Sequence, residues 1–428
     1  MKLRFVLAAV SLVLSLAISA DNRSTECNGC WAALADQPTV EESLGVNITS
    51  VDSPPGEIRM IAEAGFRWIR TDFFWEDTER ERGKYDFSAY DRLLKQLDEF
   101  GIHPLFILDY GNRLYTEGRS VRTPEARAAF AQWAVAAGKH FAGRGVVWEL
   151  FNEPNNDGFW PPQPNVAEYN ALVLEVGLAF RSSLPQEKLI GPAVVSSDLQ
   201  FLESCLSAGS QDWWSEVSVH PYRQDNPETA ATDYARLRGM INKYRGDSDA
   251  PNPGIISSEW GYSAVWSRMN EERQALMFAR ALLTNLANGV SISIWYDWRD
   301  DGTDPANPEH HFGLVHHEYN AGRQNVYEPK PAFVAARTLT TTLRGFRFQQ
   351  RLNVGGADDY VLVFNRNTDR RLVVWTTGTS PHRLTIPGMS GEYAVTTIKG
   401  NGAGRIAATG DALTMEVSAA PVFLTRTR

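Results

Sequence analysis

Two glutamates stand at the ends of apolar runs in this 428-residue sequence, where an ionisable group is unusual. Glu153 closes "VVWELFNE" (146–153), and Glu259 falls near the end of "GIISSEW" (254–260). A carboxylate beside buried apolar residues has to be paired or functional, because burying an unpaired charge is costly. Two carboxyls about 5 Å apart can hydrolyse a glycosidic bond with retention of configuration. The pair therefore predicts this chemistry or, alternatively, two structural ion pairs with arginine.

A repeated order of strands and helices predicts the scaffold that must bring these glutamates together. Eight β-rich runs alternate with eight segments of helical periodicity; the runs are 43–48, 66–73, 103–110, 146–153, 188–195, 216–222, 254–260 and 290–298. This order is typical of a (β/α)8 TIM barrel, with an open doubly wound sheet as the alternative. In a barrel the carboxyl ends of the strands converge, so polar strand-end residues should meet there: Asn47, Arg70, Asp72, Asp109, Asn152, Glu153, His220, Tyr222, Glu259 and Trp295.

The chain beyond the barrel changes character. Residues 344–428 contain short alternating runs separated by Gly, Asn and Asp, with no helical stretch. This pattern predicts a small antiparallel β-sandwich domain. The predicted organisation is thus a barrel over 43–343 followed by a β-sandwich over 344–428, preceded by a short segment over 21–42.

The first twenty residues have the form of a secretory signal peptide. Lys2 and Arg4 precede an apolar stretch that ends in small residues at Ala20. An uncleaved membrane anchor is the alternative, although the apolar run is slightly short for a full span. We expect a secreted or periplasmic protein with no membrane contact after cleavage. Cys27 and Cys30 would then form a disulfide or, less simply, a redox site, while Cys205 is expected to be a buried helix residue.

Composition narrows the class of partner. A net charge of −9 and a pI near 5.5 give no basic surface for nucleic acid. The sequence has neither a P-loop nor a dinucleotide fingerprint, so we expect no cofactor. Aromatic residues make up 11% of the chain, and many fall in predicted loops after the strands. They are Trp75, Tyr110, Tyr115, Phe159, Trp160, Trp260, Tyr262, Trp266 and Trp298. Flat aromatic faces suit sugar rings, which favours a polysaccharide or oligosaccharide as the partner.

Three short motifs carry a resemblance to a known group of proteins. "FNEP" (151–154), "HPY" (220–222) and "SEWG" (258–261) resemble the motifs of clan A glycoside hydrolases, the four-seven superfamily. Within the clan, the sequence is similar to family 39 and to related bacterial exopolysaccharide hydrolases. The resemblance implies a retaining β-glycoside hydrolase with Glu153 as acid/base and Glu259 as nucleophile.

The same resemblance implies roles for the residues around the pair. Asn152 would bind the sugar hydroxyl next to the reacting carbon, Arg70 would keep the nucleophile ionised, and Tyr222 would donate to it. Trp295 would lie beneath the reacting sugar, although Trp298 offers a second candidate for that platform. His220 is expected to contact substrate or to be a buried structural histidine.

A histidine-rich stretch leaves one further alternative open. "EHHFGLVHHEY" (309–319) contains four histidines: His310, His311, His316 and His317. Adjacent histidines point apart on a strand or a helix, so the stretch is better interpreted as a polar loop lining the cleft than as a metal site. The alternatives to a retaining glycosidase are a metal-dependent hydrolase that uses this loop and a non-catalytic saccharide-binding protein on the same barrel.

Overall fold

A computed structural model of the protein describes residues 38–195, 198–245 and 252–427. The predicted signal peptide over 1–20, the cysteines Cys27 and Cys30, and most of the segment over 21–42 lie outside the described residues.

Eight parallel strands close into a barrel, as the sequence predicts. Each strand is hydrogen-bonded to the next, and the first pairs with the eighth, so the sheet has no free edge and the open-sheet alternative is wrong. The strands are β1 (Leu44–Asn47), β2 (Trp68–Phe74), β3 (His103–Asp109), β4 (Val147–Leu150), β5 (Lys188–Val195), β6 (Glu216–His220), β7 (Gly254–Trp260) and β8 (Val290–Trp295).

Helices connect successive strands on the outside of the barrel. They are α1 (Glu57–Ala64), α2 (Trp75–Thr78), α3 (Ser88–Phe100), α4 (Pro124–His140), α5 (Val166–Ser183), α6 (Leu199–Ser207), α7 (Ala230–Tyr244), α8 (Glu271–Ala287) and α9 (Pro331–Thr342). Short 3₁₀ turns cover Glu41–Ser43, Ser210–Trp213, Pro227–Thr229 and Pro308–His311. Cys205 is buried on α6, as expected. Within the described ranges, no helix combines the length and apolar character that crossing a bilayer requires.

Helix ends follow signals that are visible in the sequence. The Thr123 hydroxyl accepts a hydrogen bond from the Ala126 N–H (3.1 Å), and Pro124 occupies the first turn of α4. Gly65 and Gly101 end α1 and α3 in the left-handed conformation, at φ 96° and 62°. These signals explain where α4 begins and where α1 and α3 end.

The interior of the barrel is a packed apolar layer. Its buried members come from alternating positions of the strands: Trp68, Leu105, Val147, Ile190, Ile256, Ile292 and Ile294. Gly45 admits this packing, because a Cβ there would lie only 2.4 Å from Cδ1 of Ile294. The layer closes the barrel below the polar residues at the carboxyl ends of the strands.

The C-terminal strands form a β-sandwich, as predicted. A six-stranded sheet has the order β14-β13-β16-β11-β10-β9, and β12 pairs with β15 in a second sheet. The strands are β9 (Arg347–Arg351), β10 (Asp359–Arg366), β11 (Asp369–Thr376), β12 (His382–Pro387), β13 (Glu392–Thr397), β14 (Gly402–Ala407), β15 (Ala412–Val417) and β16 (Val422–Arg426). The polar strand β9 is absent from the sequence prediction.

Alternation along β11 shows how the larger sheet has two buried faces. Leu372 and Val374 pack into the core of the sandwich, whereas Val373 and Trp375 pack into the main core of the barrel. The indole N–H of Trp375 donates to Glu228 (2.6 Å), which also forms a buried ion pair with Arg280 (2.7 Å). The β-sandwich is therefore joined to the barrel by both apolar and charged contacts.

Candidate active site

A cleft of about 590 Å³ opens at the carboxyl ends of the barrel strands. Seven of the predicted strand-end residues line it, namely Asn47, Arg70, Asp72, Asn152, Glu153, Tyr222 and Glu259. The remaining lining residues are Thr49, Ile107, Tyr110, Phe159, Val195, Trp266, Tyr296, Glu309 and Phe312. The fold thus brings together side chains from strands that lie far apart in the sequence.

Glu153 lies on a strained turn, and not on the strand itself as the sequence suggests. Strand β4 ends at Leu150, and the next residues include two with left-handed backbone, Phe151 (φ 70°) and Glu153 (φ 44°). Such conformations cost about 1–3 kcal/mol each in residues other than glycine and often mark functional sites. The Glu153 N–H donates to the carbonyl of Ala193 (3.1 Å), which holds the turn against β5. This turn directs the carboxyl of Glu153 into the cleft.

His220 positions Glu153 and does not line the cleft, which agrees with the expected alternative of a buried structural histidine rather than a residue in contact with substrate. The ring is completely buried, with Nδ1 2.8 Å from Oε1 of Glu153. Its other nitrogen, Nε2, lies 3.4 Å from a guanidinium nitrogen of Arg70, which can only donate. Nε2 therefore accepts, and the hydrogen-bond network places the ring proton on Nδ1, where it donates to Glu153.

Glu259 at the end of β7 receives two hydrogen bonds. Nη1 of Arg70 lies 2.6 Å from Oε2, and the Tyr222 hydroxyl lies 2.8 Å from Oε1. Burial raises the pKa of Tyr222, and the charge of Glu259 raises it further, so the phenol remains a donor. Each oxygen of Glu259 therefore accepts a hydrogen bond from a fixed donor.

Arg70 is the centre of the polar network below the cleft. Nε donates to Glu149 (2.7 Å), and Nη2 donates to the side-chain oxygen of Asn152 (2.7 Å). Burial disfavours the guanidinium charge, but the carboxylates of Glu149 and Glu259 outweigh it and raise the pKa of Arg70. The arginine is therefore a fixed positive charge, and it also fixes the orientation of Asn152.

Glu149 is the functional residue that the sequence reasoning missed. It is completely buried in β4, four residues before Glu153. Burial alone would raise its pKa, but Arg70 and then His220 lower the pKa below its ordinary value. A lone Glu within an otherwise apolar strand was the available signal, since such a charge requires a buried cation.

The two candidate catalytic carboxyls lie close together across the barrel mouth. One oxygen of Glu153, one of Glu259 and one ring nitrogen of His220 are all within 4.8 Å of one another. Three such atoms could in principle hold a metal ion. Glu153 and His220 already bond to each other, Glu259 bonds to Arg70 and Tyr222, and the guanidinium supplies the positive charge that a metal ion would bring.

A second carboxyl pair lies on the floor of the cleft. Asp72 lines the cleft, and Asp109 is completely buried beside it at the end of β3. Burial, followed by the charge of Asp72, raises the pKa of Asp109 well above its ordinary value. Burial and the neighbouring Asp72 thus favour the protonated form of Asp109.

Four predicted tryptophans do not reach the cleft. Their side chains are buried in the apolar core and are absent from the cleft lining; they are Trp160, Trp260, Trp295 and Trp298. Trp160 packs edge-on against Phe151, and Trp295 packs edge-on against Phe278. These contacts place the side chains behind the cleft wall, so the prediction that they bind substrate is wrong.

Other aromatic residues form the walls instead. Near Glu259, the rings of Tyr222, Trp266 and Tyr296 each pack edge-on against Phe312, with centroids 5.3–6.3 Å apart. On the other side, Tyr110 and Phe159 are parallel, with centroids 5.7 Å apart. The expectation of an aromatic cleft therefore holds through Tyr110, Phe159 and Trp266, three of the expected loop aromatics, rather than through the four buried tryptophans.

The histidine-rich loop does not form a metal site among the described residues. His311 and His317 contact the backbone carbonyls of Asp304 and Asp300, and His316 faces Glu271 and Asp300. The ring nitrogens thus have separate partners, and the only cluster of potential ligands in the described ranges is the one that contains Glu153. The loop does line the cleft, through Glu309 and Phe312.

The fold is the one shared by the (β/α)8 glycoside hydrolases of families 39 and 30. A family 39 glycoside hydrolase from Bacteroides cellulosilyticus matches with a TM-score of 0.77 at 24% identity, covering 91% of this chain and 82% of its own. A family 39 β-xylosidase from Caulobacter crescentus matches at 0.65 with 16% identity, covering 93% and 99%. A family 30 endoxylanase from Clostridium papyrosolvens matches at 0.63 with 11% identity, again covering 93% and 99%.

These matches extend over both the barrel and the β-sandwich, so the expected resemblance to family 39 is confirmed at the level of the fold. Neither a protein-family model nor a curated protein matches the sequence.

Proposed function

We propose that this protein is a retaining β-glycoside hydrolase that cleaves a polysaccharide or oligosaccharide. The observation that carries the proposal is the separation of the two carboxyls, because oxygens of Glu153 and Glu259 lie within 4.8 Å of each other. Retaining enzymes place their carboxyls about 5–5.5 Å apart, whereas inverting enzymes leave about 6.5–9.5 Å for a water molecule.

The proposed reaction has two displacements. In the first, Glu153 gives its proton to the glycosidic oxygen as the bond to the anomeric carbon breaks, and Glu259 attacks that carbon to form a glycosyl ester. In the second, a water molecule loses a proton to Glu153 and attacks the same carbon, which releases Glu259 as a carboxylate. Each step leaves Glu153 in the state that the next step requires.

Neighbouring residues support these roles. Arg70 and Tyr222 hold Glu259 oriented for attack through hydrogen bonds to its two oxygens. His220 donates to Oε1 of Glu153, and Oε2, which accepts from the side-chain amide of Asn156 (3.2 Å), is the oxygen that would carry the transferable proton. Asn152, fixed by Arg70, is placed to bind the hydroxyl beside the reacting carbon, where a hydrogen bond strengthens in the transition state.

The stereochemistry of the first product tests the mechanism. Proton NMR during early hydrolysis should show the product anomer with the configuration of the substrate. A fluorinated slow substrate should leave its sugar on the peptide that contains "SSEWGYS" (257–263). Early appearance of the opposite anomer would contradict both the double displacement and the role of Glu259.

Replacement of the acid/base tests the role of Glu153. Glu153→Ala should lose activity on substrates with poor leaving groups, and azide should restore turnover of activated ones, because the nucleophile survives and the anion enters the vacated space. A folded variant without rescue would contradict the assignment. Saccharide binding without any turnover by the wild-type protein would favour the non-catalytic alternative, and activity lost on chelation would favour a metal-dependent one.

Export is part of the proposal. The sequence over 1–20 has the charged and apolar parts of a signal peptide, and a saccharide too large to enter a cell needs an enzyme outside the cytoplasm. Mass spectrometry of the N-terminus of protein recovered from the periplasm or medium should find cleavage after Ala20.

A further inference from the structure

The loop after β8 contributes one side chain to the cleft that the proposed reaction does not use. Glu309 begins the histidine-rich stretch and lines the same cleft as Glu153 and Glu259. Within the described ranges, its carboxylate has no hydrogen bond or ion pair, and it is exposed to the solvent of the cleft. A carboxylate held in this way is available to a ligand.

The backbone around Glu309 is fixed in place. It belongs to the 3₁₀ turn Pro308–His311, and its N–H donates to the side chain of Asn307 (3.1 Å). The buried Ser263 donates to the carbonyl of Pro308 (2.7 Å), and Gln274 donates to that of His311 (2.9 Å). Because Ser263 follows the strand that carries Glu259, the turn keeps a constant position relative to the nucleophile.

The cleft has an excess of negative charge. Four of the described lining residues are carboxylic acids, Asp72, Glu153, Glu259 and Glu309, while the only lining cation is Arg70. Arg70 is already bound to Glu259 and to a buried glutamate below it. No lining cation therefore remains to neutralise an additional carboxylate near Glu259.

The raised pKa of Glu309 reflects the negative charges around it. Burial raises the pKa, the charges of Glu259, Asp301 and Glu153 raise it further, and His310 lowers it, with a net upward shift. Since these carboxylates act on one another across the cleft, an anionic sugar placed between them would meet the same repulsion. A hydroxyl or ammonium group would instead find a free acceptor.

We propose that Glu309 is a specificity-determining residue that accepts hydrogen bonds from the sugar held against Glu259 and rejects a sugar that carries a carboxylate there. The inference rests on the proposed function and adds the charge class of the substrate, which is a neutral or amino sugar and not a uronic acid. Rejection arises from like charges in a partly dehydrated cleft, a common source of specificity.

Matched aryl glycosides test the proposal. The probes are 4-nitrophenyl β-glycosides of glucose, galactose and mannose, each paired with its uronic acid, together with the β-glucosaminide. The wild-type protein should prefer the neutral member of the pair it accepts by at least about tenfold in kcat/KM. Glu309→Gln, which keeps the shape and removes the charge, should reduce that preference about tenfold and should also reduce any preference for the glucosaminide.

Glu318→Gln is the matched control. Glu318 is an exposed glutamate on the same loop that does not line the cleft, so this change removes the same charge without altering the site. An unchanged preference in Glu309→Gln, or an equal change in Glu318→Gln, would overturn the role of Glu309 while leaving the proposed function intact. Absence of wild-type turnover on every glycoside and on a polysaccharide panel would instead contradict the proposed function itself.

Discussion

Replacing Arg70 by methionine should separate the structural and chemical roles of the buried network. The guanidinium makes charged hydrogen bonds to Glu149 (2.7 Å) and Glu259 (2.6 Å), and both Arg70 and Glu149 are almost completely buried. Hydrogen bonds to charged groups contribute about 1.5–3 kcal/mol each. The summed contribution of two such hydrogen bonds agrees with the loss of stability of about 3–5 kcal/mol that follows removal of one partner of a buried ion pair. We expect Arg70→Met to lower the free energy of unfolding by that amount.

The loss of unfolding free energy in Arg70→Met should depend on pH, because Arg70 lowers the pKa of Glu149. In the wild-type protein, burial opposes ionisation of Glu149, but Arg70 and His220 lower its pKa, so it contributes stability above the unfolded pKa of about 4.3. That stability is lost as pH falls through the folded pKa. Without Arg70, burial dominates and the pKa is raised, so Glu149 destabilises the variant increasingly as pH rises above about 4.3. The deficit should therefore be larger at pH 7 than at pH 4.

Urea unfolding followed by tryptophan fluorescence at several pH values measures the deficit. Arg405→Met is the control, because its ion pair with Glu392 is on the surface and should contribute about 0–1 kcal/mol. The double variant Arg70→Met with Glu149→Gln should regain part of the stability but none of the activity, since Glu259 still lacks its cation. A deficit below about 1 kcal/mol at pH 7, or one independent of pH, would refute the reasoning.

Three further changes address single contacts. Tyr222→Phe removes the donor to Oε1 of Glu259 and should lower kcat on aryl glycosides about tenfold, with unchanged circular dichroism; an unchanged kcat would contradict the contact. Trp160→Ala should lower the free energy of unfolding by about 3–5 kcal/mol, as for other buried aromatics. A fully stable variant that has lost binding only to long saccharides would show instead that Trp160 contacts the substrate. In the wild-type protein, the raised pKa of Asp109 gives stability that is fully present below about pH 3.9 and is lost as pH rises through the folded pKa. Asp109→Asn should abolish this loss in unfolding measured between pH 4 and 7. A pH profile identical to that of the wild-type protein would contradict the raised pKa.

The elements of the barrel could be predicted because their signals are local. Apolar periodicity identifies each strand and helix, while glycines and capping residues mark where they end, so the predicted bounds differ from the observed ones by a few residues. Strand β9 was missed because its sequence, "RFQQR", is polar and mostly exposed. Its partner β10 supplies the apolar residues, and pairing with a distant strand has no local signature.

The residues of the candidate site also differ in whether the sequence gives a local signal for them. Glu153, Glu259, Arg70 and Tyr222 could be found because the carboxyl ends of barrel strands converge on one face, where polar side chains form the active site. Glu149 was overlooked although it is also an ionisable group in an apolar strand, because its partner is Arg70, 79 residues earlier in the chain. Only the closed barrel brings the two side chains together in its interior.

Three of the four failed tryptophan predictions share a feature. Each of these buried tryptophans is next in sequence to a residue that lines the cleft: Trp160 follows Phe159, Trp260 follows Glu259, and Trp295 precedes Tyr296. Neighbouring side chains of a strand, such as Glu259 and Trp260, point to opposite faces, so an error of one residue exchanges the cleft for the core. Composition correctly indicated an aromatic cleft, but the choice between adjacent aromatics depends on backbone direction after each strand. That direction is set by tertiary contacts, such as the hydrogen bond from the Glu153 N–H to the carbonyl of Ala193. A local sequence pattern does not predict such contacts.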